Sequence, residues 1–379
     1  MVVLAAILAG CSDMISDDAL KTQAPSVQIQ PKKIKPQPKI KKQTGQKVAL
    51  LLPLSGKEAT LGQAMKNAAE LSLFENADDH LELLVKDTKN TPEGAAVAAQ
   101  AALDQGAQLI LGPVFAQEVR AVLPYAQTHN VPVISFSSDQ SVAGRGNYIM
   151  GFSPQEQIKR VVRFAKSKGI DRLVVLVPST PYGLLVTSRL KALSEAGETT
   201  IVAILTYTGG GGEKLLDELK RINTLSFNGV LLPVGGENLK ILLANMQAFG
   251  FDFSKVQLLG TGLWDTNETQ EIPLLAGAWY ASVEPLQRLP FEAHFRVSYG
   301  AFPPRIATLA YDSVYLASTL SKNNPSHPFQ KEMLTQPEGF NGIDGLFRLK
   351  AQGETERSLA ILEITPQGTH VISPAESHF

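Results

Sequence analysis

From residue 48 onward, apolar runs of strand length alternate with amphipathic stretches of helical length, and the alternation runs twice through the chain. The first series reads as strand 48–54, helix 61–74, strand 81–85, helix 92–105, strand 109–111, helix 119–126, strand 131–136 and strand 148–152. Thr91 before Pro92 supplies an N-cap followed by proline at the first helical position. A second series starts at Pro154: helix 154–168, strand 172–177, helix 184–196, strand 200–206, helix 213–222, strand 229–234, helix 238–249, strand 256–259 and strand 278–283. Strands separated by helices join by crossovers, which makes them parallel and puts helices on both faces of the sheet. The expected class is therefore α/β, with two doubly wound lobes of like architecture. Helices 291–299 and 306–320 follow, and the tail 339–372 reads as a strand meander punctuated by Gly342, Gly345, Gly353 and Gly368.

A chain of 379 residues with 44% apolar residues can bury the cores of about two domains. Its net charge of −1 is unevenly spread: residues 1–47 hold eight lysines against three acids, and the remainder holds 27 basic and 33 acidic residues. An acidic body offers no stripe for phosphates, so nucleic acid is excluded as an expected partner.

The only cysteine, Cys11, cannot form an intrachain disulfide. Residues 1–10 are an unbroken apolar and small run, with Leu8, Ala9 and Gly10 leading into Cys11. This resembles the lipobox of bacterial lipoproteins, where small residues admit a signal peptidase before a cysteine that becomes diacylated; the other reading is a core cysteine in a short N-terminal element. Ser12 resembles the signal for sorting to the outer membrane. The first ten residues lack the basic residues of a secretory leader, which implies a translation start further upstream. The run is also shorter than the roughly 20 residues that span a bilayer, and no later uncharged segment reaches that length. Between residues 12 and 46, Pro25, Pro31, Pro36 and Pro38 alternate with Lys32, Lys33, Lys35, Lys39, Lys41 and Lys42, the composition of a disordered tether. Extended as polyproline II at ~3.1 Å per residue, it would reach about 100 Å. Its lysines are either solvated or in contact with anionic headgroups or wall polymer.

Catalytic signatures are sparse. His80, His129, His294, His327, His370 and His378 form no pair at metal-ligand spacing on one helix, so no metal and no cofactor are expected. The run 209–212 is followed by Glu213 and Lys214 rather than by the lysine and hydroxyl of a phosphate loop, and Gly260 and Gly262 lack the third glycine of a dinucleotide fingerprint. Ser188 and Lys191 stand at the spacing of a penicillin-reactive serine and its lysine, but on an amphipathic helix without companion motifs. The chain is not expected to be an enzyme.

Several ordered segments together resemble the type I periplasmic binding proteins, the leucine/isoleucine/valine-binding class. These are VALLLPLSG at 48–56, Gly112 with Pro113, VPVISFS at 131–137, Tyr182 with Gly183, and FNGIDGLF at 340–347. The resemblance implies two Rossmann-like lobes joined by a three-strand hinge, with crossings near 152–155, 283–286 and 337–342. One lobe would comprise 47–153 and 284–337, the other 154–283 and 338–379, after a signal segment 1–11 and a tether 12–46. It also implies an interlobe cleft at the carboxyl ends of the strands, with Ser55, Gly112, Ser135, Ser137, Tyr182, Tyr207, Gly235 and Trp264 as ligand-binding candidates. Ser135 and Ser137 are equally explained as strand-end turns with satisfied hydroxyls, and Trp264 as core or interlobe packing.

Amino-acid binders of this class meet the ligand ammonium with an acid in the loop that here reads GTGLW, 260–264. That acid is missing, although Asp265 follows directly and could substitute. The lipobox, the Pro/Lys tether and GTGLW followed by aspartate resemble more closely the penicillin-binding-protein activators, outer-membrane lipoproteins that stimulate peptidoglycan synthases. The resemblance implies a non-enzymatic regulator on the periplasmic side of the outer membrane, with a synthase as partner. The alternative is a lipid-anchored receptor that passes an amino-acid or amide-like ligand from its cleft to an ABC transporter.

Overall fold

The computed structural model describes residues 45–76, 81–208, 213–222 and 224–379. Cys11, the tether up to residue 44 and the glycine run 209–212 lie outside these described residues.

Strands β1 (Gln46–Leu52), β2 (Leu81–Asp87), β3 (Leu109–Leu111), β4 (Val133–Ser135) and β5 (Asn147–Ile149) alternate with helices α1 (Ala59–Glu75), α2 (Pro92–Asp104) and α3 (Ala116–Thr128). They form one parallel sheet in the order β2-β1-β3-β4-β5. The second series gives β6 (Arg172–Pro178), β7 (Thr200–Tyr207), β8 (Gly229–Leu231), β9 (Gln257–Gly260) and β10 (Trp279–Ser282), with α4 (Pro154–Ser167), α5 (Pro181–Glu195), α6 (Glu213–Ile222), α7 (Gly236–Ala248) and α8 (Asn267–Gln270). There follow α9 (Arg288–Tyr299), α10 (Ala307–Asn323), α11 (Lys331–Leu334), and β11 (Phe340–Gly342), β12 (Gly345–Leu349), β13 (Thr355–Arg357), β14 (Ala360–Thr365) and β15 (Gly368–Ser373). The second sheet runs β15-β14-β10-β9-β8-β6-β7, parallel except for the terminal β14–β15 hairpin. In both lobes the first strand has the second on one side and the third, fourth and fifth in sequence on the other, so the architecture is duplicated. The chain direction across each sheet reverses between β1 and β3 and between β6 and β8, the switch points where open α/β sheets leave a crevice.

The central strands β1, β3, β6, β8 and β9 are apolar on both sides because helices cover both faces. Along β1, Val48, Leu50 and Leu52 enter one core with α1 and α10, while Ala49 and Leu51 enter another against Ala95, Ala98, Ala99 and Ala102 of α2. Along β6, Val174 and Leu176 face one core and Leu173, Val175 and Val177 the other. Helices α2, α4 and α5 start where side-chain oxygens take up free backbone donors: Thr91 Oγ1 accepts from the N–H of Gly94 at 3.0 Å, and Ser153 and Thr180 do the same for α4 and α5. Each such cap stabilises its helix by about 1 kcal/mol.

The third crossing departs from the expected boundary after residue 337. Strands β11, β12 and β13 form a separate antiparallel sheet, and Phe340, Phe347 and Leu349 are buried in the first lobe's core. The N–H of Ile149 in β5 donates to Gly353 O at 2.8 Å, tying this small sheet to the edge of the first. The chain therefore passes to the second lobe between Arg357 and Ala360. A glycine-punctuated hairpin reads the same whichever core it covers, so its alternation could not reveal the lobe it joins.

Candidate functional site

The four candidates of the first lobe all stand at the carboxyl ends of its strands, Ser135 as the last residue of β4 and the others in the loops that follow. Ser55 is exposed in the loop after β1, and its Oγ donates to Asp87 Oδ2 at 2.6 Å. Asp87 also accepts from the backbone N–H groups of Leu54, Ser55 and Lys89. Burial pushes the Asp87 carboxyl up, but these hydrogen bonds outweigh it and hold the group below the usual carboxylate range. The Ser55 hydroxyl thus spends its proton on fixing its own loop. Gly112 follows β3 with φ +86, and a Cβ there would lie 2.3 Å from Leu51 O, so glycine is required by both conformation and space. Ser135 is fully buried with its hydroxyl 3.4 Å from Tyr148 O, and the Ser137 hydroxyl accepts from the N–H of Asp139 at 3.1 Å. Ser137 has the locally satisfied geometry of a strand-end turn, whereas the Ser135 hydroxyl reaches across to the neighbouring strand β5.

In the second lobe, Tyr182 stands in the first turn of α5 with its hydroxyl 3.4 Å from Thr261 Oγ1, which joins the loops after β6 and β9. Burial raises its phenol. Tyr207 ends β7, and its hydroxyl is buried without a hydrogen-bond partner among the described residues; burial raises this phenol to about 12. Gly235 caps α7, where a Cβ would come within 2.6 Å of Leu263 O.

Trp264 is fully buried, packs in the second lobe's core near Tyr280, and donates its indole N–H to Val234 O at 2.9 Å. The core reading of this residue is the one its geometry fits. It also explains the glycines before it: a Cβ on Gly260 would lie 2.2 Å from the indole, and one on Gly262 would lie 2.8 Å from Gln157 Nε2. Gln157 Oε1 accepts from the N–H of Gly262 at 3.0 Å. GTGLW is thus a packing motif that brings the β9 loop down onto the sheet. Ser188 and Lys191 are exposed along α5.

The group that sequence reasoning missed is a buried charge cluster where the three crossings meet. Asp265, only 3% exposed at its side chain, accepts from Arg288 Nη1 at 2.8 Å and Nη2 at 3.2 Å, from Arg305 Nε at 3.0 Å and from Ser282 Oγ at 3.0 Å. Burial pushes the Asp265 carboxyl up, and the two guanidinium groups more than reverse that. Arg288, which opens α9 just after the second crossing, also pairs with Glu292 at 2.7 Å, and its own protonated form is further stabilised. Arg305 reaches on to Asp344 in the β11–β12 turn at 2.9 Å. Asp312 of α10, fully buried, accepts from the N–H of Ile343 at 2.8 Å. Burial and the Asp344 charge raise Asp312, whereas Arg305 and Arg357 overcome burial to keep Asp344 low. Phe152 of the first crossing carries the guanidinium of Arg305 4.3 Å and that of Arg357 5.2 Å from its ring centroid. The first crossing is thus held through Phe152, the second through Arg288 and the third through Arg357.

This geometry answers whether Asp265 can replace the missing acid of the ligand loop. Its Oδ2 already accepts from Arg288, Arg305 and Ser282 and its Oδ1 from Arg288, so both oxygens are engaged in the hinge cluster. A ligand ammonium would have to displace a bidentate guanidinium from a buried carboxylate, which costs several kcal/mol.

Comparison with known proteins places the architecture. A Leu/Ile/Val-binding protein homolog 6 from Brucella melitensis biotype 1 is 24% identical over 241 residues, covering 60% of this chain and 60% of the relative. A penicillin-binding protein activator LpoA from Glaesserella parasuis serovar 5 is 29% identical over 139 residues, 36% of this chain and 23% of that protein. The chain therefore spans less than two thirds of either relative. Among solved structures, a putative branched-chain amino acid ABC transporter protein from Rhodospirillum rubrum superimposes with a TM-score of 0.77 at 18% identity, covering 86% of this chain and 100% of that one. A leucine binding protein from Thermotoga maritima gives 0.63 at 18% identity, covering 88% and 98%. The periplasmic binding protein family model matches residues 45–369, and with its two doubly wound lobes and three crossings the chain belongs to that family, in the type I fold.

Proposed function

We propose that the chain is a non-enzymatic regulator whose binding-protein body docks on a peptidoglycan synthase, held by a lipid on Cys11 and a Pro/Lys tether at the periplasmic side of the outer membrane. The observation that carries this reading is the engagement of Asp265. The aspartate next to the loop that resembles the ligand-ammonium loop serves the hinge instead, and with Trp264 packed into the core GTGLW offers no carboxylate for a ligand ammonium. A body whose crossings are pinned by buried arginines suits docking by a fixed outer surface better than opening and closing around a solute. The partial likeness to the penicillin-binding protein activator from Glaesserella parasuis supports the same direction. The test is glycan polymerisation and crosslinking by the organism's purified bifunctional synthases with and without the full lipidated chain in detergent. Stimulation supports the reading, and unchanged rates at saturating chain refute it.

A second reading keeps the chain as a solute receptor, with Ser55, Gly112, Ser135, Ser137, Tyr182, Tyr207 and Gly235 around its ligand. It is favoured by the buried, unpartnered Tyr207 hydroxyl, a donor in search of an acceptor. The solute would then lack an ammonium. Solute binding proteins of Rhodopseudomonas palustris with the same fold are known in complex with 3,4-dihydroxy benzoic acid and with benzoate. A thermal-shift screen comparing benzoates, amides and amino acids separates the cases: a dose-dependent rise with a benzoate and none with leucine supports this receptor, and silence across the screen counts against it.

A further inference from the structure

A concavity of about 1030 Å³ lies at the other edge of the first sheet, where its strands begin rather than end. Gln108 precedes β3, Val131 and Pro132 precede β4, and Gly146 precedes β5, so the site is separated by the length of the sheet from the candidate cleft. None of the described residues that line it is acidic, while Arg145 and Lys331 are cationic. Burial, and after it the Glu332 charge, raises the Tyr148 phenol; Glu332 itself is not part of the lining. Carboxamides of Gln108, Gln127, Asn130 and Gln330 stand beside apolar Leu123 and Phe329. Asn147, fully buried and also in the lining, donates its Nδ2 to Val142 O at 2.6 Å and leaves its Oδ1 without a partner.

Arg145 is held there at a conformational cost. It has φ +54 and is followed by Gly146 at φ +85, in a turn closed by the Gly144–Asn147 bridge. Positive φ at both central positions is the pattern of the mirror-image hairpin turn, which favours asparagine, aspartate or glycine and disfavours a long side chain. Gln127 Nε2 donates to Arg145 O at 3.0 Å, a bond that any residue at this position would keep, so the backbone does not call for arginine. The described chain also enters beside this rim. Gln46 Nε2 donates to Pro325 O at 2.7 Å next to Ser326 and His327.

We propose that this concavity is a binding site for an acidic, N-acetylated oligosaccharide, with Arg145 and Lys331 meeting carboxylates and the carboxamides of Gln108, Asn130 and Gln330 meeting acetamido and hydroxyl groups. Cations select the charge, amides match the amides and hydroxyls of amino sugars, and the apolar wall accommodates sugar faces. The site stands independently of the synthase reading, because nothing in it depends on the hinge or the candidate cleft.

The test is calorimetric titration of the full chain with the disaccharide of N-acetylglucosamine and N-acetylmuramic acid, beside chitobiose, which has the acetamido groups and no carboxylate. Arg145→Gly is the decisive variant, since it relieves the positive-φ turn and removes the whole side chain with its guanidinium; it should leave the melting temperature about unchanged, relieved strain being offset by the freer unfolded chain. Saturable binding of the acidic sugar that falls about tenfold or more in Arg145→Gly and in Lys331→Glu is expected, with Lys191→Glu, an equal charge change on the second lobe, binding as the parent does. Equal affinity for chitobiose, equal affinity in Arg145→Gly, or no binding of the acidic sugar overturns the proposal. Synthase stimulation measured on the same Arg145→Gly protein separates this site from the regulatory reading: stimulation retained with sugar binding lost leaves both intact, and stimulation absent in the parent with sugar binding present removes the regulator alone.

Discussion

Asp265→Asn is the sharpest probe of the hinge. The carboxylate accepts four hydrogen bonds at 2.8 to 3.2 Å, three of them from guanidinium groups, and is 3% exposed at its side chain. Asparagine fits the space but removes the charge and turns an N–H₂ toward one of the arginines. Arg305 retains Asp344 at 2.9 Å, whereas Arg288, 9% exposed at its side chain, is left with Glu292 alone. Removing one partner of a buried pair typically costs about 3–5 kcal/mol, and because Arg288 keeps one carboxylate the lower end of that range, about 3 kcal/mol, is expected. The two tryptophans, Trp264 and Trp279, both belong to the second lobe, so denaturant unfolding followed by tryptophan emission reports the lobe in which Asp265 sits. The midpoint should fall while the slope m stays constant. Lys220→Ala, which breaks the exposed pair with Asp217, should cost under about 0.5 kcal/mol in the same assay. An Asp265→Asn loss as small as that of Lys220→Ala would refute the claim that the carboxylate is committed to the hinge, and would return it to the candidates for ligand recognition.

Three further perturbations test local claims. Gly260→Ala places a Cβ 2.2 Å from the Trp264 indole and should destabilise by roughly 2 kcal/mol or more, with a change in tryptophan emission; a stable variant with parental emission would contradict the packing role of GTGLW. Tyr207→Phe removes a buried hydroxyl without a partner and should leave stability equal or raised by up to about 1 kcal/mol in thermal unfolding, whereas a clear loss would mean that the hydroxyl is hydrogen-bonded. Glu118, buried and hydrogen-bonded to Thr88, has its carboxyl raised by burial from 4.5 to about 7. A raised folded-state value favours the protonated form, so this contribution is full below about pH 4.5 and is lost as pH rises through about 7, by up to roughly 3 kcal/mol. Between pH 5 and pH 8 the parent should therefore lose more melting temperature than Glu118→Gln, and parallel pH profiles would refute the assignment.

Much of the architecture was legible because parallel α/β lobes are encoded locally. The bounds 109–111 and 213–222 read from periodicity coincide with β3 and α6, and Thr91 caps α2 as its position before Pro92 implied. The loops after the strands were legible for the same reason: once strand order is known, Ser55, Gly112, Tyr182 and Gly235 must sit at carboxyl ends near the switch points. Side-chain duty at those places was less visible. A serine after a strand looks the same whether it awaits a ligand or binds Asp87 across 32 residues of chain, and a tryptophan looks the same in a cleft as in a core.

The sequence by itself determined the doubled α/β series and the acidic balance of the body, since each follows from periodicity or composition. Tertiary structure alone decided which lobe the β11–β13 sheet joins and what Asp265 does. Its partners Ser282, Arg288 and Arg305 lie 17, 23 and 40 residues away, beyond any helical or strand period, and they meet only because three separate crossings converge on one point. Ion pairing acts through space and requires burial to be strong, and neither proximity nor burial at such separations is written in the local pattern.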